Sequence, residues 1–242
     1  MTRAVTILAR MREGFGQFCP VALACETLTQ KWTLLIVREL CAGSRRFSDI
    51  RRGVPRISAT LLKQRLDALE RAGIVSVQMT RTSAHEYALT EAGADLKAVL
   101  SSVGEWGQRW ARDIDRRDLD PGWLVWNIHR RLDTAIMPAG RTVLEFAFTD
   151  APAHQRRFWL VCTNGDVDVC VKPPGFDVDL VVSTKVIVMA EIWRGLRPIS
   201  DEIKAGRVRL DGKPALRRAL PSWLMLSVYA PIARKRTKTV KT

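Results

Sequence analysis

Apolar residues recur along the chain with two different periods, and the change of period marks its elements. Over residues 58–72, SATLLKQRLDALERA places Leu62, Leu66 and Leu69 on one face when projected at 100° per residue. Thr60, Lys63, Gln64, Asp67 and Arg71 fall on the other face. Ser58 is placed to cap this helix and Gly73 to close it. Upstream, CPVALACETLTQKW starts a helix, with Pro20 suited to its first turn. KWTLLIVREL is a second helix with Trp32, Leu35, Ile36 and Leu40 at core spacing, and RRFSDIRR is a short third that stops at GVP. Cys25 and Cys41 lie in apolar helical patterns and are expected in the core. Downstream, IVSVQMTRTSAHEYALT predicts a strand, a polar tip near residues 82–84 and a returning strand. A last helix after Thr90 carries DLKAVLSSVGEWGQRWA.

Helix, helix, short helix, turn, helix and hairpin is the order of a winged helix-turn-helix, mostly α with a β-hairpin wing. The second half follows another pattern. A helix from Trp123 leads into RTVLEFAF, whose alternation is irregular for a strand. In RRFWLVCTNGDVDVCVKPPGF, Asn164-Gly165 is the preferred two-residue hairpin turn between two strands. DVDLVVST is a further strand, TKVIVMAEIWRGL and PISDEIKAG are helices and RVRLDG is a strand. KPALRRAL and PSWLMLSV read as two closing helices. The fold class is therefore α+β, with an antiparallel sheet covered by helices on one side of the second domain.

Charge sharpens this division. The chain of 242 residues carries a formal charge of +14. Residues 1–112 hold 17 basic and 10 acidic side chains, residues 113–233 hold 17 and 15, and the tail 234–242 holds five basic and no acidic ones. The excess sits in the front half and the tail, which points to a polyanionic partner for the front half. On the exposed face of the 58–72 helix, Lys63 and Gln64 are of the types that read guanine and adenine edges, beside Ser58 and Thr60. Arg45, Arg46, Arg51, Arg52 and Arg56 lie on the preceding short helix and turn, where they can clamp phosphates on either side. Arg81, near the hairpin tip, reaches towards an adjacent groove. The expected partner is a double-stranded DNA operator.

CPVALACETLTQKWTLLIVREL, SRRFSDIRRGVPRISATLLKQRLDALERAGIV and YALTEAG together resemble the HxlR-type winged-helix transcriptional regulators of bacteria, over residues 15–112. The chain departs from that pattern with Gln30 and Arg56 where glycine is usual; the first touches a helix–helix link and the second adds charge at the turn. The resemblance implies a homodimer on a dyad-symmetric operator. Leu96, Val99, Leu100, Val103, Trp106 and Trp110 form an apolar stripe at helical spacing that suits a dimer interface. The resemblance also gives Cys19, ahead of Pro20, the role of a redox sensor in several members. A thiol near a helix N-terminus and many arginines is disposed to ionise.

DVDLVVSTKVIVMAEIWRGLRPISDEIKAGRVRLDGKPALRRAL resembles the sterol carrier protein-2 (SCP-2)-like fold. That resemblance implies an apolar cavity for a hydrophobic small-molecule effector, lined by Phe146, Phe148, Trp159, Val161, Val167, Val169, Ile187, Met189, Ile192 and Trp193. The expected domains are 15–112 for DNA binding and dimerisation, 113–122 as a linker, 123–230 as the SCP-2-like domain and 231–242 as a basic tail.

Other chemistry has little support. Five cysteines without a C-x-x-C pair and three scattered histidines argue against a disulfide framework and a metal site, and no cofactor motif occurs. An enzyme built on Cys162 or Cys170 lacks a partnered base, because His154 is near only in sequence. The remaining alternative is a lipid-binding module with non-specific nucleic-acid affinity. Apolar runs fall short of a membrane span and no signal peptide is read at the start, so the expected compartment is the cytoplasm.

Overall fold

The computed structural model describes residues 14–79 and 85–235. It divides into two compact units, Met1–Ser101 and Ser102–Thr242. The first contains α1 (Pro20–Leu28), α2 (Thr33–Cys41), α3 (Phe47–Gly53), α4 (Ala59–Arg71), β1 (Val75–Met79) and β2 (His85–Leu89). α5 (Glu91–Trp110) follows, and the division falls within it.

α4 is bounded as its ends dictate. The Ser58 hydroxyl oxygen accepts the Leu61 N–H at 3.2 Å. Gly73 takes the left-handed φ of 69° that ends the helix without a Cβ penalty. Leu62, Leu66 and Leu69 are fully buried against Ile36, Leu40 and Ile50. β1 and β2 pair antiparallel from Val75↔Leu89 to Met79↔His85. The chain before α3 joins this hairpin: Tyr87 N–H donates to the Arg45 carbonyl at 2.8 Å, and the backbones of Arg46 and Glu86 pair as an isolated antiparallel β-bridge.

Two expectations for this unit change. α2 begins at Thr33 because Trp32 adopts a φ of 81°. On the resulting helix Ile36, Val37 and Leu40 share the buried arc, and Leu35 stands 39% exposed. α1 has no buried residue, so Cys25 is half-exposed rather than core. At the Gln30 turn the left-handed residue is Trp32, and the Gln30 carbonyl accepts the Thr33 N–H at 3.0 Å.

In the second unit the expected linker is an ordered turn. Asp115 accepts the Arg117 N–H at 3.1 Å, Asp118 accepts the Asp115 N–H at 2.8 Å, and Arg112 forks onto Asp118 at 2.5 and 2.7 Å. That fork holds the Asp118 carboxyl well below the usual carboxylate range. α6 (Pro121–His129) starts two residues earlier than expected, because Asp120 caps it by accepting the Trp123 N–H at 2.9 Å.

β3 (Arg141–Phe148), β4 (Arg157–Thr163), β5 (Asp166–Cys170), β6 (Leu180–Thr184) and β7 (Val208–Gly212) form one sheet in the order β5-β4-β3-β6-β7. The sheet is mixed, which corrects the antiparallel expectation: β6 pairs parallel with β3, from Leu144↔Leu180 to Phe148↔Thr184. The chain leaves β5 at one side of the β3–β4–β5 meander and re-enters beyond β3, and that crossover fixes the parallel direction. β3 is central, and Val143, Leu144, Glu145 and Phe146 are buried on both of its faces, which explains its poor alternation. Asn164 and Gly165 take φ of 51° and 96°, the paired positive values of a type I′ turn.

α7 (Val186–Trp193) and α8 (Ile199–Lys204) precede β7, and α9 (Pro214–Trp223) follows it. α9 replaces the two closing helices expected: it continues through Pro221 because Leu220 and Trp223, on either side, are buried in the core. That core joins α6, α7 and α9 to one face of the sheet, centred on Leu144, Phe146, Leu160 and Val182. No helix among the described residues is long and apolar enough to cross a membrane.

Candidate nucleic-acid interface

α4 presents an exposed polar face carrying Thr60, Lys63, Gln64 and Arg71, with Asp67 half-exposed. Lys63 forms an i,i+4 ion pair with Asp67, which raises the Lys63 pKa. That pairing is solvent-facing and exchangeable, so Lys63 stays a cation available to a groove. Gln64 stands one residue on and is exposed. Arg65 fixes the pitch of α4 by donating to the Lys31 carbonyl at 3.1 Å. Ser58 spends its oxygen on the helix cap and keeps its hydroxyl proton for an outside acceptor.

Basic side chains surround this face. Arg45, Arg46, Arg51, Arg52 and Arg56 are all exposed. Arg45, Arg46 and Arg51 have no carboxylate partner among the described residues. Arg45 and Arg46 are held on the wing side by their pairing with β2, and Arg51 and Arg52 stand on the last turn of α3. Arg81 lies outside the described residues. A contact the sequence concealed holds the α3 end in place. Glu39 of α2 is fully buried, Arg38 forks onto it at 3.1 and 2.8 Å, and Arg38 also donates to the Gly53 carbonyl at 2.8 Å. A partnership between residues 38 and 53 has no local periodic signal.

The HxlR-like helix-turn-helix family profile matches residues 27–115. The uncharacterised HTH-type transcriptional regulator YvaP of Bacillus subtilis is 32% identical over 112 residues, covering 45% of this chain and 96% of YvaP. The chain belongs to the HxlR-like helix-turn-helix family. This HxlR-like protein is also 31% identical over 106 residues to the uncharacterised HTH-type regulator YtfH of Escherichia coli, covering 42% of this chain and 84% of YtfH. A solved structure, the reduced form of the transcriptional regulator YodB from B. subtilis, is 34% identical over 38% of this chain and 93% of YodB, with a TM-score of 0.35. The protein is thus a transcriptional regulator of the HxlR family, and the family carries a DNA-binding motif over the part that holds α4.

The other candidate residues separate by location. In the α5 stripe, Leu96 and Leu100 pack on the core of the first unit, whereas Val99, Val103, Trp106 and Trp110 are exposed. Eight of the ten residues expected to line a cavity gather at one core, and Trp159 and Val161 do not. Register pairs Phe146 with Phe158, so Trp159 and Val161 point to the opposite face of the sheet from Phe146 and Phe148. Trp159 there donates its indole N–H to Glu145 at 3.1 Å. Phe146, Phe148, Met189 and Ile192 are packed within the core, with Val167, Val169, Ile187 and Trp193 against it. The thiols also differ. Cys19 is the exposed N-cap residue of α1, and the backbone amides of Ala22 and Val21 lower its pKa. Cys162 is buried and its pKa is pushed up to about 11, which makes it a poor nucleophile, and burial raises Cys41 against the opposing pull of the Lys97 charge.

Proposed function

We propose that this regulator binds a dyad-symmetric DNA operator as a homodimer, with α4 in the major groove. The observation that supports this most is the exposed Thr60, Lys63 and Gln64 face flanked by five exposed arginines, on a helix whose other face is locked into the core. Gln64 and Lys63 read base edges; Arg45, Arg46, Arg51, Arg52 and Arg56 hold phosphates, and Arg81, outside the described residues, is assigned the same role. The exposed Val99, Val103, Trp106 and Trp110 of α5 supply apolar area for the second copy. The second unit is read as SCP-2-like on the β6–α7 and β7–α9 segments that carry that resemblance. Phe146, Phe148, Met189 and Ile192 of the expected lining belong to its sheet–helix core, where a hydrophobic effector would sit.

Binding to an enriched operator and to scrambled duplexes, measured by fluorescence anisotropy across salt, tests the division of labour. Gln64→Ala is expected to relax base preference. Arg51→Ala is expected to weaken all duplexes about equally and to lower the log–log salt slope by about 0.9 per phosphate contact removed. Equal loss of specificity from both variants sinks the assignment.

A second reading rests on Cys19. Its exposure at the α1 N-terminus and its lowered pKa favour a thiol that responds to oxidants or electrophiles and changes DNA affinity. Cys19→Ser then leaves basal DNA binding intact and removes its sensitivity to diamide; retained sensitivity refutes the reading.

A further inference from the structure

Along the β7 margin of the second unit lies an open groove of about 490 Å³. β7 is the last strand of its sheet, and α8 and α9 flank it in sequence. The groove has an apolar floor, Ile203, Val208 and Leu210, and a basic rim, Arg217 and Arg218, with the Arg209 side chain on the other face of β7. No carboxylate lines it. The nearby Glu202 is already held by Arg207 at 2.8 Å and Arg197 at 3.5 Å. Asp179 faces Lys213 at 3.8 Å. Arg209, Arg217 and Arg218 themselves have no ion-pair partner among the described residues. The Arg217 and Arg218 guanidinium groups, without a counter-charge and beside half-buried aliphatic side chains, make a site that is complementary to an anion and to a hydrocarbon at once. Its volume falls within the range of small-molecule sites, which pair a mostly apolar lining with a few placed polar groups.

We infer that this groove binds a small amphipathic anion, an apolar chain or ring ending in a single carboxylate or phosphate. The apolar part lies on Ile203 and Leu210, and the arginines fork onto the head group. The site is separate from the ten residues expected to line a cavity, none of which borders it. It is also independent of the DNA-binding reading, because every group it uses belongs to the second unit.

The test is calorimetric titration of the full-length protein with decanoate, decyl phosphate, 1-decanol and inorganic phosphate. Methyl signals of Ile203 and Leu210 are followed by NMR in parallel. Decanoate or decyl phosphate is expected to bind once per chain, at least tenfold tighter than 1-decanol, and to shift both methyl signals; the tighter of the two identifies the head group. Inorganic phosphate is expected not to saturate. The double substitution Arg217→Gln, Arg218→Gln, at two exposed positions, is expected to weaken the anionic ligand at least tenfold with the melting temperature unchanged and 1-decanol unaffected. Equal affinity for 1-decanol overturns the proposal, as does saturation by inorganic phosphate alone. Unchanged binding in the double variant, or no saturable binding at all, overturns it too. Preferential binding of a tetraglutamate peptide along the β7 edge assigns the groove to an acidic strand instead and also overturns it.

Discussion

Gly53→Ala inverts the usual effect of alanine in a helix. Gly53 ends α3 with an ordinary negative φ, and in a permissive helical position alanine stabilises by about 1 kcal/mol over glycine. Here an added Cβ would lie 1.8 Å from Glu39 Oε2, 1.9 Å from Cδ and 2.6 Å from Cγ. All three separations are far inside van der Waals contact, and the Glu39 side chain is only 1% exposed, so it has no solvent into which to swing. Relief requires the carboxylate to leave the Arg38 fork, which leaves a buried charge short of a partner. Disrupting a buried pair in this way costs roughly 3 kcal/mol. For a unit of this size that is a drop in melting temperature of more than about 10 °C. The assay is thermal and urea unfolding of wild type, Gly53→Ala, Glu39→Ala and the double variant. Removing the Glu39 side chain removes the clash, so Gly53→Ala should cost less than about 0.5 kcal/mol in the Glu39→Ala background. An equal cost in both backgrounds, or stabilisation by Gly53→Ala alone, refutes the contact as the cause.

Three further outcomes follow from the same structure. Trp106→Asp places a charge in the exposed α5 stripe and should shift the protein from dimer to monomer in analytical ultracentrifugation, with loss of operator affinity; a dimer that survives it excludes α5 as the interface. Limited alkylation with iodoacetamide at pH 7 should label Cys19 well before Cys162, as read by peptide mass spectrometry, since the first thiol is exposed with a lowered pKa and the second is buried with a raised one. Asp118 is held below the usual carboxylate range by Arg112, so its contribution to stability is complete above about pH 4 and disappears as pH falls through its folded value. Asp118→Asn should therefore lower the melting temperature at pH 7 and converge with wild type in acid; a constant gap contradicts the ion pair.

Local chemistry was legible where periodicity or capping decides the element. Ser58, Gly73, Asn164-Gly165 and the three leucines of α4 announce their roles within a few residues, and all hold those places in the structure. What stayed hidden depends on partners distant in the chain. Leu35 was misjudged because the left-handed Trp32, itself packed against the core, resets the start of α2. The parallel β3–β6 pairing is set by a crossover, which strand patterns do not encode. Trp159 and Val161 read as cavity lining because their hydrophobicity is visible in sequence, whereas the face they occupy follows from the register with Glu145 and Val143. For the interface, residue types on α4 and the arginine turn were readable. The Lys63–Asp67 pairing and the Glu39–Gly53 brace behind that turn were not read.

The most direct test of the central claim is selection from random duplexes by the purified full-length protein at near-physiological salt, with the bound fraction sequenced. The account predicts enrichment of one dyad-symmetric motif whose half-sites lie about one helical turn apart, as two α4 helices of a dimer require. An unenriched pool bound only through salt-sensitive contacts contradicts it, and leaves α4 as a solvated helix with a basic surround.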